Sequence, residues 1–264
     1  MTKKKAGSSD KYILNCIPSK DISSDWQLDA ASGAGLMAAS YPSAKDLRDD
    51  SWWPIGDQGL TGSCVGWATA DSVLRWHFVK ADKLQLQELL SPRYVWMAAK
   101  ETDEFTTRPS SFIELEGTSL KAALDIARKF GVVTDTMLPF NSGKLYPDKA
   151  NVFYAIAAQR KISSYFSLGI NPSDWRNWLA NNGPILTRLN VDATWIKAAS
   201  TDGTLATYRA ETARGGHAIA LVGYTQEHFI VRNSWGQSWG DKGFAYASDS
   251  YAKAAFTEAY GVAL

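Results

Sequence analysis

In GDQGLTGSCVGWATADSVLRW, residues 56–76, a single cysteine, Cys64, stands where a glycine-rich loop gives way to an apolar run that reads as a helix. A thiol is a useful nucleophile only as thiolate, and the unpaired N–H groups and partial positive charge of a helix N-terminus lower a thiol pKa. A free cysteine is ordinarily just a buried apolar residue, so chemistry at Cys64 requires a base, and the chain has three histidines: His77, His217 and His228. His77 lies thirteen residues along the same helix, roughly 20 Å away at 1.5 Å per residue, and is out of reach. His228 follows a hairpin turn at the far end of the strands from residue 217. That leaves His217 in RGGHAIAL, where two glycines leave space for a substrate chain to pass close to the ring. Asn233 can accept the imidazole N–H and fix its orientation, and Gln58 can supply a side-chain N–H beside the Cys64 backbone N–H for a negative oxygen.

Two strands must bring His217 and Asn233 together. HAIALVGY and HFIVRN, joined by TQE, are expected to form an antiparallel hairpin with the His217 and Asn233 ends adjacent. The apolar residues from Cys64 to about Phe78 cover more than one face, as in a buried helix. LSPRYVWMAAK predicts a second helix capped by Ser91 with Pro92 at its first position, and TSLKAALDIARKFG a third, capped by Thr118 or Ser119 and ended at Gly131. After about Asn151, GPILTRLNV, GHAIALVGY, HFIVRNSW and GFAYAS read as short strands between turns. The expected organisation is an arm, 1–45, a mainly helical part, 46–150, and a mainly antiparallel β part, 151–264.

The chain has 264 residues, 45% apolar and 21% charged, with a formal charge of +1. This balance suits a soluble protein with one large or two moderate cores and supplies no global field for nucleic acid or anionic membrane. The lysines Lys3 to Lys5 read as a solvated tip. No apolar run approaches a membrane span, and the N-terminus lacks the apolar stretch of a secretory signal. Two cysteines, Cys16 and Cys64, make neither a disulfide framework nor a zinc or redox pair, so a reducing compartment is expected. The expectation is the cytoplasm or another reducing compartment, with delivery into another cell left open. Glu114 and Glu116 could be imagined as an acid/base pair, but a polar loop offers no apolar pocket to raise one pKa, and they read as solvated charges. No metal cluster or phosphate loop stands out, and no cofactor is expected.

QGLTGSC with its apolar helix, GGHAIALVGY and VRNSWGQSWGDKGF together resemble the papain-like cysteine peptidases, over about Asp46 to Phe244. The resemblance implies an α+β fold in which a helical lobe faces an antiparallel, barrel-like β lobe across an active-site cleft. It also implies peptide-bond hydrolysis through a thioester acyl-enzyme, with Gln58 in the oxyanion hole, Cys64 as nucleophile, His217 as base and acid, and Asn233 orienting it. Trp235 is expected to shield that pair from water, and Trp239 to line the leaving-group side. Gly117 and Gly216 are expected along the substrate backbone, Ala218 and the ILTRL strand at the main specificity pocket. Arg188 would favour an acidic side chain if it points into that pocket; a one-residue slip in register would turn it to solvent. Val65, Gly66 and Trp67 follow the nucleophile where many relatives place an aromatic residue at once.

The arm is too short for the family's long helical propeptide. Its Tyr12 to Pro18 piece is expected to pack on the body as structure, and control to come from a separate inhibitor or regulator. An endopeptidase acting on protein or peptide substrates is favoured because no insertion would block one end of the cleft. The alternatives are an acyl-transferring, transglutaminase-like enzyme and a silent peptide-binding protein.

Overall fold

The computed structural model describes residues 12–102, 117–142 and 150–264; Lys3 to Lys5, Glu114 and Glu116 lie outside them. The elements run, in order, α1 (Leu28–Gly33), β1 (Lys45–Asp46), then α2 (Cys64–Trp67), a π-helical segment (Ala68–Leu74) and α3 (Arg75–Lys80) as one continuous helical run. Next come α4 (Pro92–Thr102), α5 (Leu120–Lys129), α6 (Ala150–Ala157), β2 (Ser164–Ser167), α7 (Pro172–Asn181), β3 (Ile185–Val191), α8 (Ala193–Ile196) and β4 (Thr204–Leu205). The chain closes with β5 (Gly215–Tyr224), β6 (His228–Arg232), β7 (Phe244–Ser248), α9 (Asp249–Ala255) and β8 (Phe256–Ala263).

The helix starts follow their capping chemistry. Ser91 Oγ accepts from the Tyr94 N–H at 3.0 Å ahead of Pro92, and Ser119 Oγ accepts from the Ala122 N–H at 3.3 Å. Past α5, Gly131 has φ 89°, and a β-carbon there would lie 1.9 Å from the Ala157 carbonyl oxygen, so both the conformation and the close approach require glycine. Gly66 serves the helix that starts at Cys64: a β-carbon on it would meet the Pro92 carbonyl oxygen at 2.3 Å, so its absence lets α2 pack tightly on α4.

Among the described residues the strands form one sheet in the order β2-β8-β3-β5-β6-β7-β4, with β1 added to β5, and the sheet does not close into a barrel. All pairings are antiparallel except β4 with β7. The predicted hairpin is β5 and β6, in register Ala220↔Arg232 and Leu221↔Val231. The sequence reading lacked β8, a strand paired on both edges, with β2 and β3. It is buried along nearly its whole length, so it shows no polar alternation, and it follows α9 without a turn residue.

Strand β5 is covered on both faces. Ala218, Ala220 and Val222 pack with Val65, Leu74, Tyr94 and Leu124 of the helices, whereas Ile219 and Leu221 pack with Trp175, Trp178, Trp195 and Trp235 on the other side. The alternation follows from the two-residue period of a strand. A buried polar network ties the Cys64 helix to the Asn233 strand. Arg232 donates to Asp71 Oδ2 at 2.7 Å, to the Pro54 and Trp53 carbonyls at 2.6 and 2.9 Å, and lies over the Trp53 ring. No helix of the described residues is long and apolar enough to cross a membrane.

Candidate active site

Cys64 is the first residue of α2 and is completely buried, as is His217 near the start of β5. Asn233 directly follows β6, so the hairpin register carries it to His217: Nε2 and Asn233 Oδ1 are 2.7 Å apart. Asn233 Oδ1 also accepts the Ser234 N–H at 2.8 Å, which fixes the amide as an acceptor toward the ring. With Nε2 carrying the proton, Nδ1 is left as a free lone pair. Nδ1 has no aligned hydrogen bond, yet the imidazole is close enough to the Cys64 sulfur to act on its ionisation.

The Cys64 thiol is held well below the ordinary value. The largest cause is a hydrogen bond from the Cys16 thiol; burial opposes it, and His217 and the Ala218 backbone N–H add to the lowering. Cys16 is pushed well above the ordinary value, first by burial and then by its contact with Cys64. The favoured arrangement is a Cys64 thiolate accepting the Cys16 S–H. A thiolate beside an imidazole, with the imidazole held by an amide, can add to an electrophilic carbon and then hand a proton to a leaving group.

Gln58 is buried and held from two sides: the Ser234 hydroxyl donates to Oε1 at 2.8 Å, and Nε2 donates to the Thr61 carbonyl at 3.0 Å. A second Nε2 hydrogen remains. The Trp235 ring lies 4.7 Å from the His217 ring, and Trp239 is buried against Trp195, whose carbonyl accepts its indole N–H at 3.1 Å. His77 is buried away from the site, its pKa pushed down to about 4 by burial. His228 lies at the hairpin turn beside Thr225.

The N-terminal arm differs from the expectation of a purely structural strap, because it lies in the cleft itself. Tyr12 stacks on Trp235 with ring centres 3.7 Å apart. Asn15 bridges Gly216, the Cys16 N–H donates to the Gly216 carbonyl at 3.1 Å, and the Ile17 N–H donates to the Thr118 carbonyl at 3.2 Å. The Ser19 N–H ends the passage on Glu258 Oε1 at 2.9 Å. The room left by the glycines is what the arm fills. A β-carbon on Gly117 would lie 1.9 Å from the Asn15 carbonyl oxygen, and one on Gly216 2.1 Å from that of Cys16. An extended segment rich in unpaired N–H and C=O groups finds in these glycine-lined backbones the partners it needs.

Arg188 is turned toward the cleft and not to solvent. Among the described residues its hydrogen bonds go to neutral oxygens: Nε donates to the Cys16 carbonyl at 3.0 Å, and Nη1 to Thr257 Oγ1 at 2.8 Å and Asn190 Oδ1 at 3.2 Å. Ala218 is its partner in register on β5 and is buried. Three residues of the site escaped the sequence reading. Cys16 carried a signal, being one of only two cysteines and lying in the stickier KYILNCIP piece. Ser234 sits inside a recognised motif, but its bond to Gln58 depends on tertiary contact. Glu258 belongs to the unforeseen β8. Among the described residues no group of three or more histidine, cysteine or acidic side chains could hold a metal ion.

A family model described as papain family cysteine protease matches residues 41–261. A cathepsin B-like protein, CP3, of Giardia intestinalis is 27% identical over 232 residues, covering 81% of this chain and 72% of its own. The chain spans under half the length of two further curated relatives, 41% and 44%. Xylellain, a cysteine protease from Xylella fastidiosa, superposes with a TM-score of 0.78 at 18% identity, covering 99% of both chains. Digestive procathepsin L2 of Tenebrio molitor larval midgut superposes at 0.70 with 19% identity, covering 96% of this chain and 78% of that one.

Proposed function

The chain belongs to the papain family of cysteine proteases, and from that premise we propose an endopeptidase that cleaves protein or peptide substrates through a Cys64 acyl-enzyme. The observation that carries this reading is the placement of Cys64, at the start of its helix, beside an imidazole that Asn233 holds at 2.7 Å. The Cys64 thiol proton passes to the free lone pair of His217 Nδ1, the thiolate adds to the substrate carbonyl carbon, and the carbonyl electron pair moves onto oxygen. The Cys64 backbone N–H and the second Nε2 hydrogen of Gln58 receive that oxygen. As the tetrahedral adduct collapses, His217 Nδ1 protonates the departing amine, leaving a thioester on Cys64. His217 then takes a proton from water, the hydroxide adds to the thioester, and the acid product leaves with the thiolate restored. Trp235 keeps bulk water off the His217–Asn233 bond.

The arm supports endo-cleavage, because it runs past Cys64 in both directions, from Tyr12 on Trp235 to Ser19 on Glu258. Among the described residues the cleft thus holds chain on both sides of the sulfur, as endo-cleavage requires. In this reading Gly117, Ala218 and Arg188 lie on the acyl side and Trp239 on the leaving-group side. The arm therefore runs opposite to a substrate and presents no scissile carbonyl in the productive sense. Its departure is the first step of catalysis. Because a thiolate nucleophile is lost to oxidation, a reducing compartment is the proposed place of action.

The test is cleavage of a panel of peptides with free and blocked ends, under reductant and after arm release. Internal cleavage of doubly blocked peptides, abolished in Cys64→Ala, is the expected result. Strict dependence on a free terminus would replace endopeptidase with exopeptidase, and transfer to an added amine with no acid product would replace hydrolysis with acyl transfer.

A further inference from the structure

The chain has two cysteines, and they are in contact. Cys16 and Cys64 are both buried in one core cluster, each thiol acts on the ionisation of the other, and the Cys16 thiol also lies 3.9 Å from the Ile17 carbonyl oxygen. The backbone of residue 16 is pinned on both sides of its α-carbon: its N–H donates to the Gly216 carbonyl, and its carbonyl accepts from Arg188. No step of the proposed hydrolysis passes through the Cys16 thiol, which leaves the cleft with the arm, and an arm that only filled the cleft would not need a thiol at this position.

We propose that Cys16 and Cys64 are a disulfide-forming pair, through which a hydroperoxide locks the arm covalently across the cleft and a dithiol reductant unlocks it. The bond itself needs only the observed contact; its effect on activity rests on Cys64 being the nucleophile. In the first step the Cys64 thiolate attacks one oxygen of hydrogen peroxide, the O–O bond breaks, and with one proton taken up the products are Cys64 sulfenic acid and water. In the second, the Cys16 sulfur displaces hydroxide from the Cys64 sulfur. The S–S bond forms, and the Cys16 proton leaves with the hydroxide as a second water. A dithiol returns two electrons and two protons, through a mixed disulfide, and restores both thiols. Cys64 is the attacker because it opens its helix beside His217, and Cys16, held on the arm, is the resolver. Contact between the two sulfurs lets the disulfide form before a second peroxide carries Cys64 to the sulfinic acid.

The experiment treats the full chain with limiting hydrogen peroxide, blocks residual thiols, and maps the linkage by mass spectrometry of peptides without reduction. The expected result is an intrachain Cys16–Cys64 peptide lighter by two hydrogens, a thiol titre falling from two per chain to none, and recovery of both with dithiothreitol. Cys16→Ser and Cys16→Ala, treated alike, should give Cys64 sulfinic acid that dithiothreitol does not reverse. Sulfinic acid on Cys64 of the unaltered chain with Cys16 still a free thiol would overturn the proposal, as would disulfides only between chains. Peptide hydrolysis in parallel separates the two readings. A disulfide that forms and reverses in a chain that never hydrolyses peptide keeps the latch and sinks the peptidase; an active chain that forms no such bond does the opposite.

Discussion

At Cys64 three groups favour the thiolate, Cys16, His217 and the Ala218 N–H, and burial opposes them. Cys16→Ala removes the first-ranked of these while keeping the site closed. The titration followed by thiolate ultraviolet absorbance should therefore move to higher pH in that variant and stay below the unperturbed value of about 8.5, because His217 remains. Because the depressed thiolate is lost only as pH falls through its folded value, the acidic limb of activity should lie well below that of an ordinary thiol. His217→Ala should cost ~10²–10⁴ in kcat/KM. Asn233→Ala, which leaves the imidazole but frees its orientation, should cost less and act mainly on kcat. His77 gives a separate signature in stability. Its pKa is about 4 in the fold and about 6.5 unfolded, so the unfolded chain gains the proton first as pH falls. Stability on the order of 3 kcal/mol is present above pH ~6.5 and lost on the way down to pH ~4. His77→Phe should flatten that part of the denaturant-midpoint profile; an unchanged profile would contradict the burial argument. Cys64, His217 and Asn233 were legible as candidates because residue type and local motif together single them out, and the fold brings the three side chains together. The Cys16–Cys64 contact was not, because nothing local says where an extended segment docks.

The elements hold these residues through contacts that can be cut one at a time. Asp71 on the π-helical segment is the carboxylate partner of the fully buried Arg232, next to Asn233. Asp71→Ala leaves that guanidinium buried without its counter-charge and should cost about 3–5 kcal/mol, read as a fall in urea midpoint at constant m-value. Gly117 tests the arm. Gly117→Ala sets a β-carbon where the Asn15 carbonyl now sits, so the arm should become more readily cut by an added protease. Peptide hydrolysis should fall in the same variant, since a substrate backbone uses the same gap. Unchanged arm protection would contradict the docking geometry. Helices capped by Ser91 and Ser119, and the β5–β6 hairpin, were readable because their signals are local. β8 was not, since a strand paired on both edges and buried along its length shows no alternation. The π-helical winding of Ala68–Leu74 likewise has no signature in an all-buried run.

Across the whole molecule, the sheet supplies His217 and Asn233, the buried helix supplies Cys64, and the arm covers all three. The family was legible from three short motifs, and the fold follows from it, with the sheet open where a barrel-like form was expected. The docking of the arm in the cleft was not legible, because nothing local in sequence says where an extended segment binds. Between Tyr12 and Ser19 the contacts of the arm include backbone bonds to Gly216 and Thr118, one stacked ring pair, the Glu258 and Arg188 bonds and the approach of Cys16 to Cys64. They form a surface of the kind that opens without global unfolding. The most direct measurement follows hydrolysis of a doubly blocked, internally quenched peptide under reductant while limited proteolysis removes the arm, beside Cys64→Ala as control. The account predicts little hydrolysis by the intact chain, a rise that tracks loss of the arm, and none from Cys64→Ala. Full activity before the arm is cut, or none afterwards in a chain whose circular dichroism is unchanged, would contradict it.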